Sequence, residues 1–190
     1  MATQAHAVHQ QTRSVARAAW PRPSRAGMEG WDERPTRKAM AVRRIRHRWS
    51  DLFDLVLDLE RYPEFVPHCR AVKVYSRAQE DGRTVVVSRM TVGVAGFDVS
   101  YANRTRADAA ARRIEVVALD GPLRRLHVVW TFEPQGEDCT RAGLFIDYEF
   151  SNPVLGALAS RAFDGMFADI VGAFERRADR LFRRKTARID

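Results

Sequence analysis

Between residues 50 and 60 the apolar positions recur at helical spacing, with Leu52, Leu55, Val56 and Leu59 on one side. Ser50 stands where a capping hydroxyl is expected, and Asp51 and Asp54 set negative charge near the positive end of the helix dipole. The pattern predicts a helix that ends by Tyr62-Pro63, because a residue before proline is pushed out of the helical region. Ahead of it, Ala41 to Arg48 read as a short strand crowded with Arg43, Arg44, Arg46 and Arg48. Behind it, Glu64 to Val66 have room only for a turn before Pro67.

From Cys69 the period changes to two. Cys69 to Gln79 and Arg83 to Ala95 flank Glu80-Asp81-Gly82, a hairpin connection, and Phe97 to Asp108 follow. In that run Phe97, Val99, Tyr101, Asn103 and Thr105 share one face, predicted to point inward. Arg112 to Leu119 form the next strand, ended by Asp120-Gly121-Pro122. Leu126, Val128, Trp130 and Phe132 alternate along another, and Thr140 to Phe150 form the last. By the same parity His127 points outward, and Asp147 and Glu149 lie on a solvated acidic face. Counting the Arg-rich segment, seven strands are expected, six of them an antiparallel meander.

The chain then returns to helical spacing. Asn152 is a cap and Pro153 a tolerated first residue for a helix whose apolar side carries Gly156, Phe163, Met166, Phe167, Ile170 and Phe174. Running past Arg180, it is long enough to cross most of the sheet. The fold class is therefore α+β, a curved antiparallel sheet against one long C-terminal helix.

Charge separates this body from its ends. The net charge of +8 is concentrated in residues 1–39, with seven Lys/Arg against three acids, and in residues 176–190, with seven against two. Residues 1–39 lack apolar periodicity and contain Pro21, Pro23 and Pro35. They are expected to be a disordered extension, or the product of a start assigned upstream of Met40. The folded domain is placed at 40–182, with a basic tail at 183–190. Such ends attract phosphate-bearing surfaces, membrane or ribosome, without reading sequence, so no sequence-specific nucleic-acid partner is expected. Purely apolar runs fall far short of the roughly 20 residues a membrane-spanning helix needs. Cys69 and Cys139 show no metal-ligand or disulfide spacing, which fits a reducing compartment.

Tyr62-Pro63-Glu64-Phe65-Val66-Pro67-His68-Cys69 resembles the Tyr-Pro-x-Phe-Val-Pro-x-Cys signature of the coenzyme Q-binding protein family. Asp120-Gly121-Pro122-Leu123, Trp130-Thr131-Phe132 and Tyr148-Glu149-Phe150-Ser151-Asn152-Pro153 are similar to its later landmarks. The resemblance implies a START-like helix-grip fold, in which the sheet wraps the final helix. It also implies ubiquinone as a bound ligand, and peripheral work at an inner membrane on the cytoplasmic or, in a eukaryote, the mitochondrial matrix side. Family members named as ribosome-association toxins imply a contact with the large ribosomal subunit, and polyketide cyclases share the fold.

A pocket between helix and sheet is the expected site. A quinone's carbonyls accept hydrogen bonds, and Tyr101, Asn103, Trp130 and Tyr148 are the inward donors. Tyr62, Phe65, Val66 and Pro67 form a stiff apolar lip, while Gly156, Phe163, Phe167, Ile170 and Phe174 line the helix side. His68 and Cys69 are neighbours on an extended segment and so point apart, and no serine elbow, phosphate loop or metal motif occurs. The expected role is binding without catalysis, and without cofactor or metal.

Overall fold

A computed structural model describes residues 36–94 and 96–186, within a compact unit that begins at Thr36. Strand β1 (Arg37–Ile45) leads into helix α1 (Trp49–Leu57) and a 3₁₀ turn (Leu59–Glu64). There follow β2 (Cys69–Glu80), β3 (Arg83–Val94), β4 (Phe97–Asp108), β5 (Arg113–Ala118), β6 (Leu123–Pro134), β7 (Thr140–Phe150) and helix α2 (Pro153–Thr186). The seven strands make one antiparallel sheet in the order β1-β7-β6-β5-β4-β3-β2. Register shifts at Cys69/Ala71, Val74/Ser76 and Leu123/Arg125 are bulges, which add the twist a curved sheet needs.

The helix α1 buries Leu52, Phe53, Leu55 and Val56, each worth roughly 1.5–3 kcal/mol against exposure. They join Val86, Ala107, Ile114, Phe132 and Ala142 from the sheet and Phe174 and Ala178 from α2 in one cluster. The packed core therefore lies at the α1 end. Asn152 caps α2 as its side chain implies, the Oδ1 accepting the Val154 N–H at 2.8 Å.

Three boundaries differ from expectation. The first strand is Arg37–Ile45 rather than 41–48, because β7 offers it partners from Ile45↔Thr140 out to Arg37↔Tyr148. As an edge strand with mostly exposed side chains it shows little alternation to read, and the folded unit takes in residues 37–39. Arg48 occupies the α1 capping position without a side-chain bond to the helix backbone, so Ser50 sits inside the first turn. The α2 helix continues to Thr186, into the segment assigned to a tail. Most of the expected extension at 1–39 lies outside the described residues.

Candidate ligand-binding site

Cross-strand register stacks the inward side chains of the sheet in tiers. Phe132 and Ala142 are neighbours in the packed core, with Phe53 edge-on to Phe132 at 5.7 Å between ring centroids. Above them lies the tier Ile114–Trp130–Leu144, and above that Thr105–Val116–Val128–Ile146. Then come Leu126–Tyr148 and Met90–Tyr101, and finally Val92–Val99 and Leu123–Phe150. From the Ile114 tier upward these residues line a cavity of about 200 Å³, which α2 covers with Met166, Ile170 and Phe174. The wall contains no Asp, Glu, Lys or Arg among the described residues. Exposed Phe97, the first residue of β4, Leu119, the residue after β5, and Val154, at the start of α2, stand toward the outer end.

The turn from helix to sheet closes one side. Tyr62 sits edge-on to Phe65 at 5.7 Å and to Phe174 at 5.3 Å, and Phe65 to Phe174 at 5.1 Å. Arg177 clamps this corner to α2, its guanidinium 5.3 Å from the Phe65 ring centre and its Nη2 2.8 Å from a Glu64 oxygen. Such aromatic edge contacts add about 0.5–1.5 kcal/mol each beyond burial.

The polar groups facing inward are few. The Tyr62 hydroxyl donates to the Val56 carbonyl at 2.6 Å, and the Tyr101 hydroxyl points to the Met90 sulfur at 3.3 Å. Ser88 donates to the Asn103 side-chain oxygen at 3.0 Å. The Thr105 hydroxyl is buried with no hydrogen-bond partner. Burial pushes the Cys69 thiol up to about 11 and raises both Tyr62 and Tyr101, so all three stay protonated near neutrality.

Among the expected site residues, Tyr62, Val66, Pro67, Tyr101, Asn103, Trp130, Tyr148, Ile170 and Phe174 line the cavity. Phe65 does not; it packs behind Phe174. Phe167 is also absent from the wall, because Met166, Ile170 and Phe174 recur every fourth residue and form the facing stripe. Gly156 lies beyond the cavity, where an added Cβ would meet Phe150 at 3.6 Å. The Phe163 side chain lies outside those described.

His68 and Cys69 both line the cavity, contrary to the alternation argument, because His68 has φ +64° and interrupts the extended backbone. His127 keeps outward parity but is buried, which lowers its pKa, with Phe145 edge-on at 6.4 Å. The expected solvated acidic face is likewise corrected. Asp147 is buried opposite His127 and 3.9 Å from Arg125, since register lays these long side chains over one another. Sequence reasoning passed over Thr105 and the aliphatic wall of Val116, Val128, Leu144 and Ile146 as site residues. Inward parity alone marks most of them.

This architecture matches known proteins. Residues 45–175 fit the model of a family described as polyketide cyclase / dehydrase and lipid transport. The chain belongs to that family. Within this polyketide cyclase/dehydrase and lipid transport family, it is 31% identical over 131 residues to a protein named ribosome association toxin RatA of Pseudomonas aeruginosa, covering 69% of this chain and 88% of that one. It is 29% identical over 141 residues to coenzyme Q-binding protein COQ10 homolog B of Xenopus laevis, covering 72% of this chain and 55% of that one. An 18 kDa protein of Caulobacter crescentus superposes with TM-score 0.64 at 30% identity, over 76% of this chain and 97% of that one. A Streptomyces aromatase/cyclase does so with TM-score 0.67 at 16% identity, over 77% and 95%, a likeness of fold alone. Both names borne by the resembled family thus recur among the relatives.

Proposed function

We propose that the protein binds a neutral isoprenoid lipid, ubiquinone or a precursor, in the cavity beneath α2 and shields it from water without transforming it. The observation that carries this reading is the cavity itself, about 200 Å³ with a wall made mostly of aliphatic and aromatic side chains and without Asp, Glu, Lys or Arg among the described residues. It is smaller than the roughly 300–1,000 Å³ typical of drug-sized pockets, so a head and the nearest isoprene units would fill it and a longer tail would leave by the outer end. Each CH₂ buried contributes about 0.8 kcal/mol, which makes even a short tail segment useful.

A non-catalytic role is supported by the protonation of the inward groups. Burial holds the Cys69 thiol and the Tyr62 and Tyr101 hydroxyls neutral, and no carboxylate faces them from the described wall. No described helix is long and apolar enough to cross a membrane. Exposed Phe97, Leu119 and Val154 at the outer end suit transient contact with a bilayer surface.

A second reading, association with the ribosome, is favoured by the name ribosome association toxin RatA carried by relatives 31% and 30% identical to this chain. Exposed Arg43 of β1 and Arg48 at the α1 cap would have to exchange their ion pairs with Glu175 and Asp138 for such a contact. Organic extraction of the purified protein followed by mass spectrometry tests the first reading. A stoichiometric prenylated quinone supports it. Lipid-free protein that co-sediments with large ribosomal subunits at low salt, and is released at high salt, supports the second instead.

A further inference from the structure

Strand β4 runs along the cavity from Val99 at the outer end, through Tyr101 and Asn103, to Thr105. Ala107, the next inward residue, already belongs to the packed core. Thr105 is thus the deepest polar residue that β4 gives the wall, in the tier above the Ile114–Trp130–Leu144 floor. It is 1% exposed and its hydroxyl makes no hydrogen bond. Its tier neighbours Val116 and Val128 show the apolar shape that would fill the same place without stranding a hydroxyl. An unmade hydrogen bond in an apolar wall is costly, so the hydroxyl calls for a partner that the protein does not supply.

Asn103 lies two residues toward the outer end on the same face, roughly 7 Å along the strand. Ser88, its cross-strand partner on β3, bonds one end of its amide at 3.0 Å, and no hydrogen bond to the other end occurs among the described residues. We infer that Asn103 and Thr105 form a polar anchor that receives the oxygen-bearing head of the lipid, inserted head first, with the tail directed to the outer end. This rests on the lipid-binding reading and narrows it. The anchor selects heads that are oxygenated and not cationic: a hydrocarbon leaves Thr105 unpaired, and a cationic head finds no carboxylate in the described wall.

Displacement of Nile red from the delipidated full-length protein tests the anchor with two probes, a benzoquinone bearing two isoprene units and the isoprenoid hydrocarbon farnesene. Thr105→Val is expected to weaken the quinone about two- to tenfold while leaving farnesene unchanged, and Thr105→Ser, which keeps the hydroxyl, to stay near wild type for both. An unchanged quinone affinity in Thr105→Val, an equal loss for both probes, or wild-type binding of farnesene in preference to quinone would overturn it and leave the lipid cavity standing. Failure of both probes to displace the dye from wild-type protein would sink the lipid reading itself. Should Thr105→Val not fold, Ser88→Ala/Asn103→Leu carries the same comparison, with the same quinone-selective loss expected.

Discussion

Gly121 holds the β5–β6 loop against β4 at the outer end of the cavity, and its replacement by alanine is the most exacting test of that geometry. Its φ is +97°, and an added Cβ would stand 2.7 Å from the Tyr101 Cβ, 2.9 Å from the Ser100 carbonyl oxygen and 3.0 Å from the Tyr101 Cα. The left-handed backbone alone costs an alanine about 1–2 kcal/mol. Carbon contacts are optimal at about 3.5–4.0 Å, so the loop must retreat by roughly 1 Å. That strains two bonds beside it, from the Ala102 N–H to Asp120 at 2.6 Å and from the Leu119 N–H to the Ala102 carbonyl at 2.8 Å. Each is worth about 0.5–1.5 kcal/mol net. After roughly 0.4–1 kcal/mol is returned by the stiffer unfolded chain, Gly121→Ala should destabilise by about 2–4 kcal/mol. Gly136→Ala is the control: φ is +109° but nothing lies within 4 Å of the new Cβ, so only the backbone cost of about 1 kcal/mol applies. Urea unfolding with unchanged m-values measures both, and costs equal within about 0.5 kcal/mol would refute the close-approach argument.

Tyr62→Phe should lose about 1–2 kcal/mol of stability by stranding the Val56 carbonyl, yet keep quinone affinity within twofold in dye displacement, because the hydroxyl is turned to the backbone rather than the cavity. Val128→Phe, in the Thr105 tier, should empty the cavity of extractable lipid while costing about 1–3 kcal/mol from overpacking; mass spectrometry of extracts and thermal melts report the two effects. Stability should fall as pH rises from about 9 toward about 11, since the unfolded Cys69 thiol loses its proton there while the folded one keeps it, so the unfolded state binds fewer protons. Urea midpoints at pH 8 and 10.5 should converge partly in Cys69→Ala, the rest of the slope reflecting the raised Tyr62 and Tyr101. In native protein, iodoacetamide should label the half-buried Cys139 before the buried Cys69, as peptide mapping would show.

Much of the site was legible because strand parity is strict. Tyr101, Asn103, Trp130 and Tyr148 face the cavity as their alternation requires, and the bounds Phe97–Asp108 and Thr140–Phe150 emerge as read. Parity failed at His68, where a positive φ turns one residue out of step. On α2, spacing marked an apolar face but not which part of it meets the cavity. That depends on the angle at which the helix crosses the sheet, and it put Met166 rather than Phe167 on the wall.

By itself the sequence determined the order of elements, the inward face of each central strand and the stiff Tyr62–Pro67 corner, because period, proline and capping act over a few residues. The tertiary structure decided which of those inward positions are packed and which are hollow. The α1 helix and the Phe174–Ala178 part of α2 fill the sheet at the Phe132 end, and nothing in local periodicity says that they stop short of the Ile114 tier. It likewise buried His127 and Asp147 on the opposite face, since side chains on adjacent strands pack according to register, a property of the sheet and not of any one strand.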